Sequence, residues 1–240
     1  MIPPASDLAA KNILRLLFGA FLILLFALSG CASRSSNVAL VVGLGAYTHA
    51  PNLPNPARDA TAIGSSLDDL GWVVTTLTDL DHKEIAKAVA DFAPSAAAAE
   101  QAVFFYAGHG MQIDGHNYLV PTGFKPTVAG LENLVSLDDM LAQLSEGNSQ
   151  LVVFLDACRD NPLTASLTAQ FADARTRGLS LPAWPAGPDK APNAKPAYEP
   201  TIGRGLAETK VGAGSMIAYA TQPGNVALDG VGLHSPFTEG

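Results

Sequence analysis

Two residue types with the reach to do chemistry stand out, a thiol and an imidazole. Cys158 follows the apolar run Leu151-Val152-Val153-Phe154-Leu155 in the segment Asp156-Ala157-Cys158-Arg159-Asp160. His109 follows the run Val103-Phe104-Phe105-Tyr106 in Ala107-Gly108-His109-Gly110. Each therefore sits just past a run that reads as a buried strand, 49 residues apart (158 − 109 = 49). A cysteine beside a histidine is a nucleophile with its base, the set that acyl transfer requires. The thiolate attacks a carbonyl better than the thiol, so a proton acceptor must lie nearby. The same imidazole, once protonated, can return the proton to a leaving amine. Two plainer readings stay open at this point: a buried, inert core cysteine and a structural histidine.

The elements that would position this pair follow from hydrophobic patterning. Val38 to Val42 is an unbroken apolar strand; Trp72 to Leu77 is a second strand, Ala102 to Tyr106 a third, Leu151 to Leu155 a fourth and Ser215 to Ala220 a fifth. Asp59 to Leu70 places Ala60, Ile63, Leu67 and Leu70 on one helical face, with Gly71 as the stop. Asp81 to Phe92 is a helix with Ile85, Val89 and Phe92 inward, and Asp81 and Glu84 suit its first turn. Ser136 caps a third helix whose stripe is Leu137, Met140, Leu141 and Leu144. A short hairpin is expected between Met111–Ile113 and Tyr118–Val120 across Asp114-Gly115. Apolar strands alternating with amphipathic helices imply an α/β protein with a mostly parallel sheet covered on both faces. Ligands meet such sheets at the carboxyl ends of the strands, and both His109 and Cys158 fall there.

The chain has 240 residues, 48% hydrophobic and 7% aromatic, enough for one large domain or two small ones. A formal net charge of −8 and the absence of any basic run argue against nucleic acid as a partner. An acidic surface suits cationic substrates. At the N-terminus Lys11 and Arg15 precede an apolar stretch, Leu16 to Leu28. That is short for a membrane span and right for a signal-peptide core. It ends in Leu28-Ser29-Gly30-Cys31, which resembles the lipobox of bacterial lipoproteins. The resemblance implies a signal peptide over 1–30, lipidation of Cys31, a tether over 31–36, and a periplasm-facing, lipid-anchored protein of the cell envelope. An ordinary secretory signal or a membrane anchor, with Cys31 incidental, is the plainer reading. With Cys31 acylated, Cys158 is the one free thiol, which raises the prior for reactivity.

Residues 163–211 lack clean periodicity and are punctuated by Pro182, Pro185, Pro188, Pro192, Pro196 and Pro200. They read as a long surface loop carrying Arg175, Arg177, Lys190, Lys195, Arg204 and Lys210. Ser235-Pro236 reads as an N-cap with a proline at the first helical position. The helix it announces stops at Gly240, so a truncated C-terminus is expected.

At Tyr106-Ala107-Gly108-His109-Gly110 and Asp156-Ala157-Cys158-Arg159 the chain resembles the caspase-like cysteine peptidases, closest to the bacterial metacaspase-like group. The resemblance runs from about Asn37 to Thr238. It includes Val41-Val42-Gly43 with Tyr47, Leu53 to Ala60, Leu70-Gly71-Trp72, Gly115 to Pro121, and Ile217 to Thr221 with Gly224. It implies a three-layer caspase-hemoglobinase-like sandwich. It makes Cys158 the nucleophile, His109 the general base and acid, and the backbone N–H groups of Gly110 and Cys158 the oxyanion hole. In metacaspases and paracaspases an aspartate two residues before the cysteine and another in the first loop-to-helix segment line an acidic S1 pocket. Asp156 and Asp59 match those positions, which implies polypeptide substrates cleaved after Arg or Lys. Both carboxylates also have plainer readings: Asp59 as a first-turn helix residue, Asp156 as a strand-end residue bonding backbone. The basic residues of 163–211 would then be candidate self-cleavage sites. The caspase motif Q-A-C-[RQG]-G is departed from at Asp156 and Asp160, which points away from true caspases.

Other signals are weaker. Gly43-Leu44-Gly45 invites a dinucleotide-binding reading, but Thr48 stands where the third glycine would be. His49, His82, His116 and His234 lack metal-ligand spacing, so no zinc site is expected. Asp79, Asp81, Asp138 and Asp139 read as helix-start and surface residues. Some metacaspases need calcium; no dedicated loop of oxygen ligands is visible, so no cofactor is expected, with calcium activation open. The leading expectation is a lipid-anchored cysteine endopeptidase. The alternatives are a non-hydrolytic caspase-like module that binds a peptide or partner at the envelope and, more remotely, a thiol acyltransferase.

Overall fold

A computed structural model describes residues 37–147, 150–158, 163–176, 201–203, 206–209, 214–220 and 232–239. Cys31 and the apolar leader lie outside them, as do most of the proline-rich stretch and its basic residues.

Apolar strands build the centre. β1 (Val38–Gly43) lies between β2 (Val73–Thr78) and β3 (Gln101–Ile113), parallel to both. β6 (Gln150–Cys158) pairs in parallel with β3 on its other side, and β8 (Met216–Tyr219) pairs in parallel with β6. The parallel order is thus β2-β1-β3-β6-β8. The β3–β6 register runs without a slip from Gln101↔Gln150 to His109↔Cys158.

Period-two alternation gives the sheet two buried faces. Leu40, Val42, Phe104, Tyr106 and Val153 join Ile85, Val89 and Phe92 of α2 (His82–Ala98) and the stripe of α3 (Leu137–Leu144) in one core. Ala39, Val41, Val103, Phe105 and Ala107 face the opposite way and join Ala60, Ile63 and Leu67 of α1 (Pro56–Asp69), with Phe154 and Phe237. Helices on both faces of a mostly parallel sheet make the three-layer α/β sandwich expected of the caspase-like fold. Each large apolar side chain buried in these layers contributes about 1.5–3 kcal/mol.

The helix starts follow their sequence signals. Asp81 Oδ1 accepts from Glu84 N at 2.9 Å while Glu84 Oε2 accepts from Asp81 N at 2.8 Å, a reciprocal capping box for α2. Ser136 Oγ accepts from Asp139 N to cap α3.

β3 outruns its expected length. Past Gly108 it turns into a smaller antiparallel sheet with β4 (His116–Leu119) and β7 (Ile202–Gly203), and β4 in turn pairs with β5 (Val135–Ser136). Asp114 and Gly115, at φ 54° and 85°, form the two-residue turn. β6 likewise continues through Cys158. His109 and Cys158 therefore lie within β3 and β6, on the last rung that pairs the two strands, rather than just past them, because pairing, not apolar content, ends a strand.

The expected loop over 163–211 is corrected at its start. α4 (Thr164–Thr176) occupies it, with Leu163, Leu167 and Phe171 buried at helical spacing. The proline density lies downstream of these residues, and the three-residue apolar stripe is too thin to stand out among the alanines. A short α5 (Pro236–Glu239) follows Ser235.

Candidate functional site

His109 is 4% exposed, held by backbone on one side and a loop on the other. Its N–H donates to the Tyr47 hydroxyl at 2.8 Å, and its C=O accepts from the Tyr106 hydroxyl at 2.7 Å and from Val120 N at 3.0 Å. The Tyr47 ring lies against the imidazole, centroids 4.4 Å apart and tilted by 47°. Gly108 makes this possible. Its φ is 155°, and a Cβ there would fall 2.7 Å from the Tyr106 hydroxyl and 2.8 Å from that of Tyr47.

The Pro51 carbonyl lies 2.8 Å from His109 Nε2. A carbonyl oxygen only accepts, so Nε2 carries the proton and Nδ1, in the neutral ring, is left with its lone pair. Nδ1 is buried and has no hydrogen-bond partner among the described residues. Burial lowers the imidazole's pKa from its ordinary value, opposed by the Pro51 hydrogen bond, which favours the charged form. One ring nitrogen is thus fixed on Pro51, and the other is buried without a partner among the described residues.

Cys158 is the register partner of His109 in the β3–β6 ladder. Neighbouring strands lie about 4.8 Å apart, so the two backbones are adjacent. His109 spends its N–H on Tyr47 and its C=O on Tyr106 and Val120. Successive peptide units of a strand point to opposite edges, so the Gly110 N–H is directed towards the β6 side. A Cβ at Gly110 would lie 3.1 Å from Leu206 Cδ2 and 3.3 Å from Ala157 Cβ, so this close packing suits glycine.

Asp59 and Asp156, from α1 and β6, are 1% and 8% exposed and meet at one residue. Ser235 N–H donates to both Asp59 oxygens at 3.2 Å, while the Ser235 hydroxyl donates to Asp156 Oδ2. His234 Nδ1 donates to Asp59 Oδ1 at 2.9 Å. Ser235 Oγ also accepts from Thr238 N at 3.2 Å, so the N-cap of α5 is docked on the two carboxylates. Arg58, next to Asp59, turns away to the Leu233 carbonyl at 2.8 Å and to Asn55 Oδ1.

The described geometry thus gathers Asp59 with Asp156, and His109 with the Cys158 backbone. Tyr47, Pro51 and Ser235 also take part in it; the sequence offered Tyr47 only within the family resemblance and Ser235 only as a helix cap, and gave none of the three a place in the site. Pro51 acts through its carbonyl, which no side-chain pattern announces. The Ser235-Pro236 cap signal was visible, but not the carboxylates it meets. Among the described residues no group of three His, Cys, Asp or Glu side chains is arranged to hold a metal.

Comparison with known proteins adds a family. The sequence profile of the caspase domain matches residues 36–240. The mucosa-associated lymphoid tissue lymphoma translocation protein 1 of Homo sapiens is 32% identical over 123 residues, 51% of this chain and 15% of that protein. Its Mus musculus homolog is 32% identical over 132 residues, 55% of this chain and 16% of that protein. The chain thus spans about one sixth of the length of these relatives. A solved structure of a Geobacter sulfurreducens protein overlaps 58% of this chain and 56% of its own, at 22% identity and a TM-score of 0.43.

Proposed function

The chain belongs to the caspase domain family, and on that premise we propose that it is a cysteine endopeptidase that cleaves polypeptides after Arg or Lys. The observation that carries this reading is the pairing of His109 with Cys158 in the last rung of β3–β6, with Nε2 fixed on Pro51 and Nδ1 buried without a partner among the described residues.

In the proposed reaction His109 Nδ1 takes the Cys158 thiol proton, and the thiolate sulfur bonds to the scissile carbonyl carbon. The carbonyl oxygen becomes an oxyanion, stabilised by the N–H groups of Gly110 and Cys158. Collapse breaks the C–N bond, and the imidazolium gives its proton to the departing amine. Water, deprotonated by the same imidazole, then releases the acyl group and restores the thiol. The Pro51 carbonyl supports this cycle by holding Nε2–H through both proton transfers. Nucleophile, base and acid are all protein groups, so the proposed reaction needs no cofactor.

Asp59 and Asp156 are the proposed S1 carboxylates. Their convergence on Ser235 supports this, since two buried carboxylates within one residue's reach form a strongly acidic spot. Each carboxylate has about four acceptor sites, so Asp59 retains capacity for a P1 guanidinium or ammonium after bonding Ser235 and His234. A cation there gains charge-assisted hydrogen bonds.

Cleavage of residues 1–30 and lipidation of Cys31 would hold this domain at the envelope. That part rests on the leader's sequence, and palmitate labelling lost on Cys31→Ser tests it. For the enzyme, an Arg-directed acyloxymethyl ketone should modify Cys158, located by peptide mapping, and should leave Cys158→Ala unmodified. Modification elsewhere, or none in the folded wild type, would refute the assignment.

A further inference from the structure

Two groups that meet the His109 imidazole, the Tyr47 ring and the Pro51 carbonyl, come from one loop between β1 and α1. That loop folds back on Gly45: Tyr47 N and Leu53 N both donate to the Gly45 carbonyl, at 3.2 and 3.0 Å. Gly45 in turn is held by Asp79. Gly45 N and Ala46 N donate to the same oxygen, Asp79 Oδ1, at 2.8 and 2.9 Å. Two successive backbone N–H groups converging on one anionic oxygen form a nest of charge-assisted bonds.

Asp79 is itself firmly placed. Its N–H donates to the Gly43 carbonyl at 3.0 Å, and its C=O accepts from Thr122 Oγ1 at 3.2 Å. It takes a left-handed conformation, φ 55°, that most side chains avoid and Asp and Asn tolerate. That conformation turns the end of β2 under the loop. Thr48, whose N and Oγ1 both donate to the Thr122 carbonyl, anchors the loop a second time.

We propose that Asp79 is a positioning residue for His109: its carboxylate clamps Gly45 and Ala46 and so holds Tyr47 and Pro51 where they fix the ring and its tautomer. Asp79 touches neither the imidazole nor any reacting atom. It acts through a short chain of bonds, Asp79 to Gly45 to the loop to His109. The role rests on the peptidase reading for its kinetic consequence, but not for its structural one.

Asp79→Gly removes the carboxylate and suits the left-handed backbone, and Asp79 is exposed, so no core is emptied. Asp79→Asn keeps an acceptor oxygen and tolerates the same backbone. Two readouts apply. In imidazole 15N NMR, His109 should show the Nε2–H tautomer in wild type and Asp79→Asn, and a mixture of tautomers in Asp79→Gly. In peptide hydrolysis, Asp79→Gly should lower kcat by about tenfold, within what small displacements of a catalytic group cost. KM should stay within about twofold, and Asp79→Asn should recover most of the rate. An unchanged His109 spectrum in Asp79→Gly would overturn the proposal, as would a kcat within twofold of wild type. A wild type that hydrolyses no peptide would sink the peptidase reading alone, because the spectrum still decides whether Asp79 positions the ring.

Discussion

His109 and Cys158 are opposite one another in the final rung of the parallel β3–β6 ladder, joined by a register that holds from Gln101↔Gln150 onward. Any slip between the two strands would displace one residue from the other by a whole rung, about 3.3 Å. The apolar residues that lock the register, Phe104, Tyr106, Val153 and Leu155, are therefore also what aligns the proposed dyad. Residues acting as one unit lose their effect together. Cys158→Ala should abolish cleavage of an Arg-P1 fluorogenic peptide, and His109→Ala should lower kcat/KM by about 10³-fold or more. The double variant should be no worse than Cys158→Ala. Additive losses measured across this cycle would mean that the two residues do not work as a pair.

Gly108 is where β3 passes from one sheet to the other, and a side chain there would crowd its neighbours. An alanine Cβ would press on the hydroxyls of Tyr106 and Tyr47, the two groups that hold the His109 backbone. Gly108→Ala should destabilise the domain by about 2–4 kcal/mol, combining overpacking with an unfavourable φ. Adding Tyr47→Phe and Tyr106→Phe removes the clashing oxygens and should return part of that loss. Denaturant midpoints measured on the series check this. Equal stability of Gly108→Ala and wild type would show that the tyrosines move aside freely.

Burial of His109 makes the fold itself sensitive to acid. Its folded-state pKa is lowered and its unfolded value is about 6.5. The unfolded chain therefore binds the proton more readily. The group's contribution to stability is complete above about pH 6.5, falls as pH drops below that value, and levels off under the lowered folded pKa. Each kcal/mol lost lowers Tm by about 2–4 °C in a domain of this size. His109→Gln has no such proton to bind. The Tm difference between wild type and His109→Gln should shift in the variant's favour as pH is taken from 7.5 towards 5. A difference independent of pH would contradict this account of the buried ring.

The legible part of the fold was the part written in local periodicity. Five apolar strands and three amphipathic helices follow from spacing alone, and the Asp81–Glu84 box and Ser136 cap follow from short-range chemistry. What spacing could not show is where tertiary contact decides. The Gly43-Leu44-Gly45 pair suits close packing, not a phosphate: a Cβ at Gly43 would fall 2.1 Å from the Pro56 carbonyl, and one at Gly45 2.5 Å from that of Leu53. His234 lacked metal spacing and gave no other signal, because its partner Asp59 lies 175 residues away. Asp79 read as a surface residue, and it is exposed; its contacts are with backbone N–H groups 33 and 34 residues earlier, which carry no residue signature.

Specificity for a basic P1 residue is the proposal most open to a clean test, because the two carboxylates also have structural work. Asp59 and Asp156 hold Ser235, and a variant that loosens α5 could lose activity without any change of preference. Rate alone is therefore a poor witness, and a ratio is needed. Citrulline has nearly the shape of arginine without its charge, so kcat/KM for Arg over citrulline at P1 reports the pocket's charge and cancels general damage. Asp59→Asn and Asp156→Asn each retain an acceptor oxygen for Ser235. A lost charge-assisted bond is worth about 1.5–3 kcal/mol, so each substitution should cut the Arg-to-citrulline ratio by about 10–100-fold. The double variant should cut it further. A ratio that is high in wild type and survives both substitutions would place the recognition of arginine elsewhere and leave Asp59 and Asp156 as anchors of α5. A wild type that prefers aspartate at P1 would overturn the acidic pocket altogether.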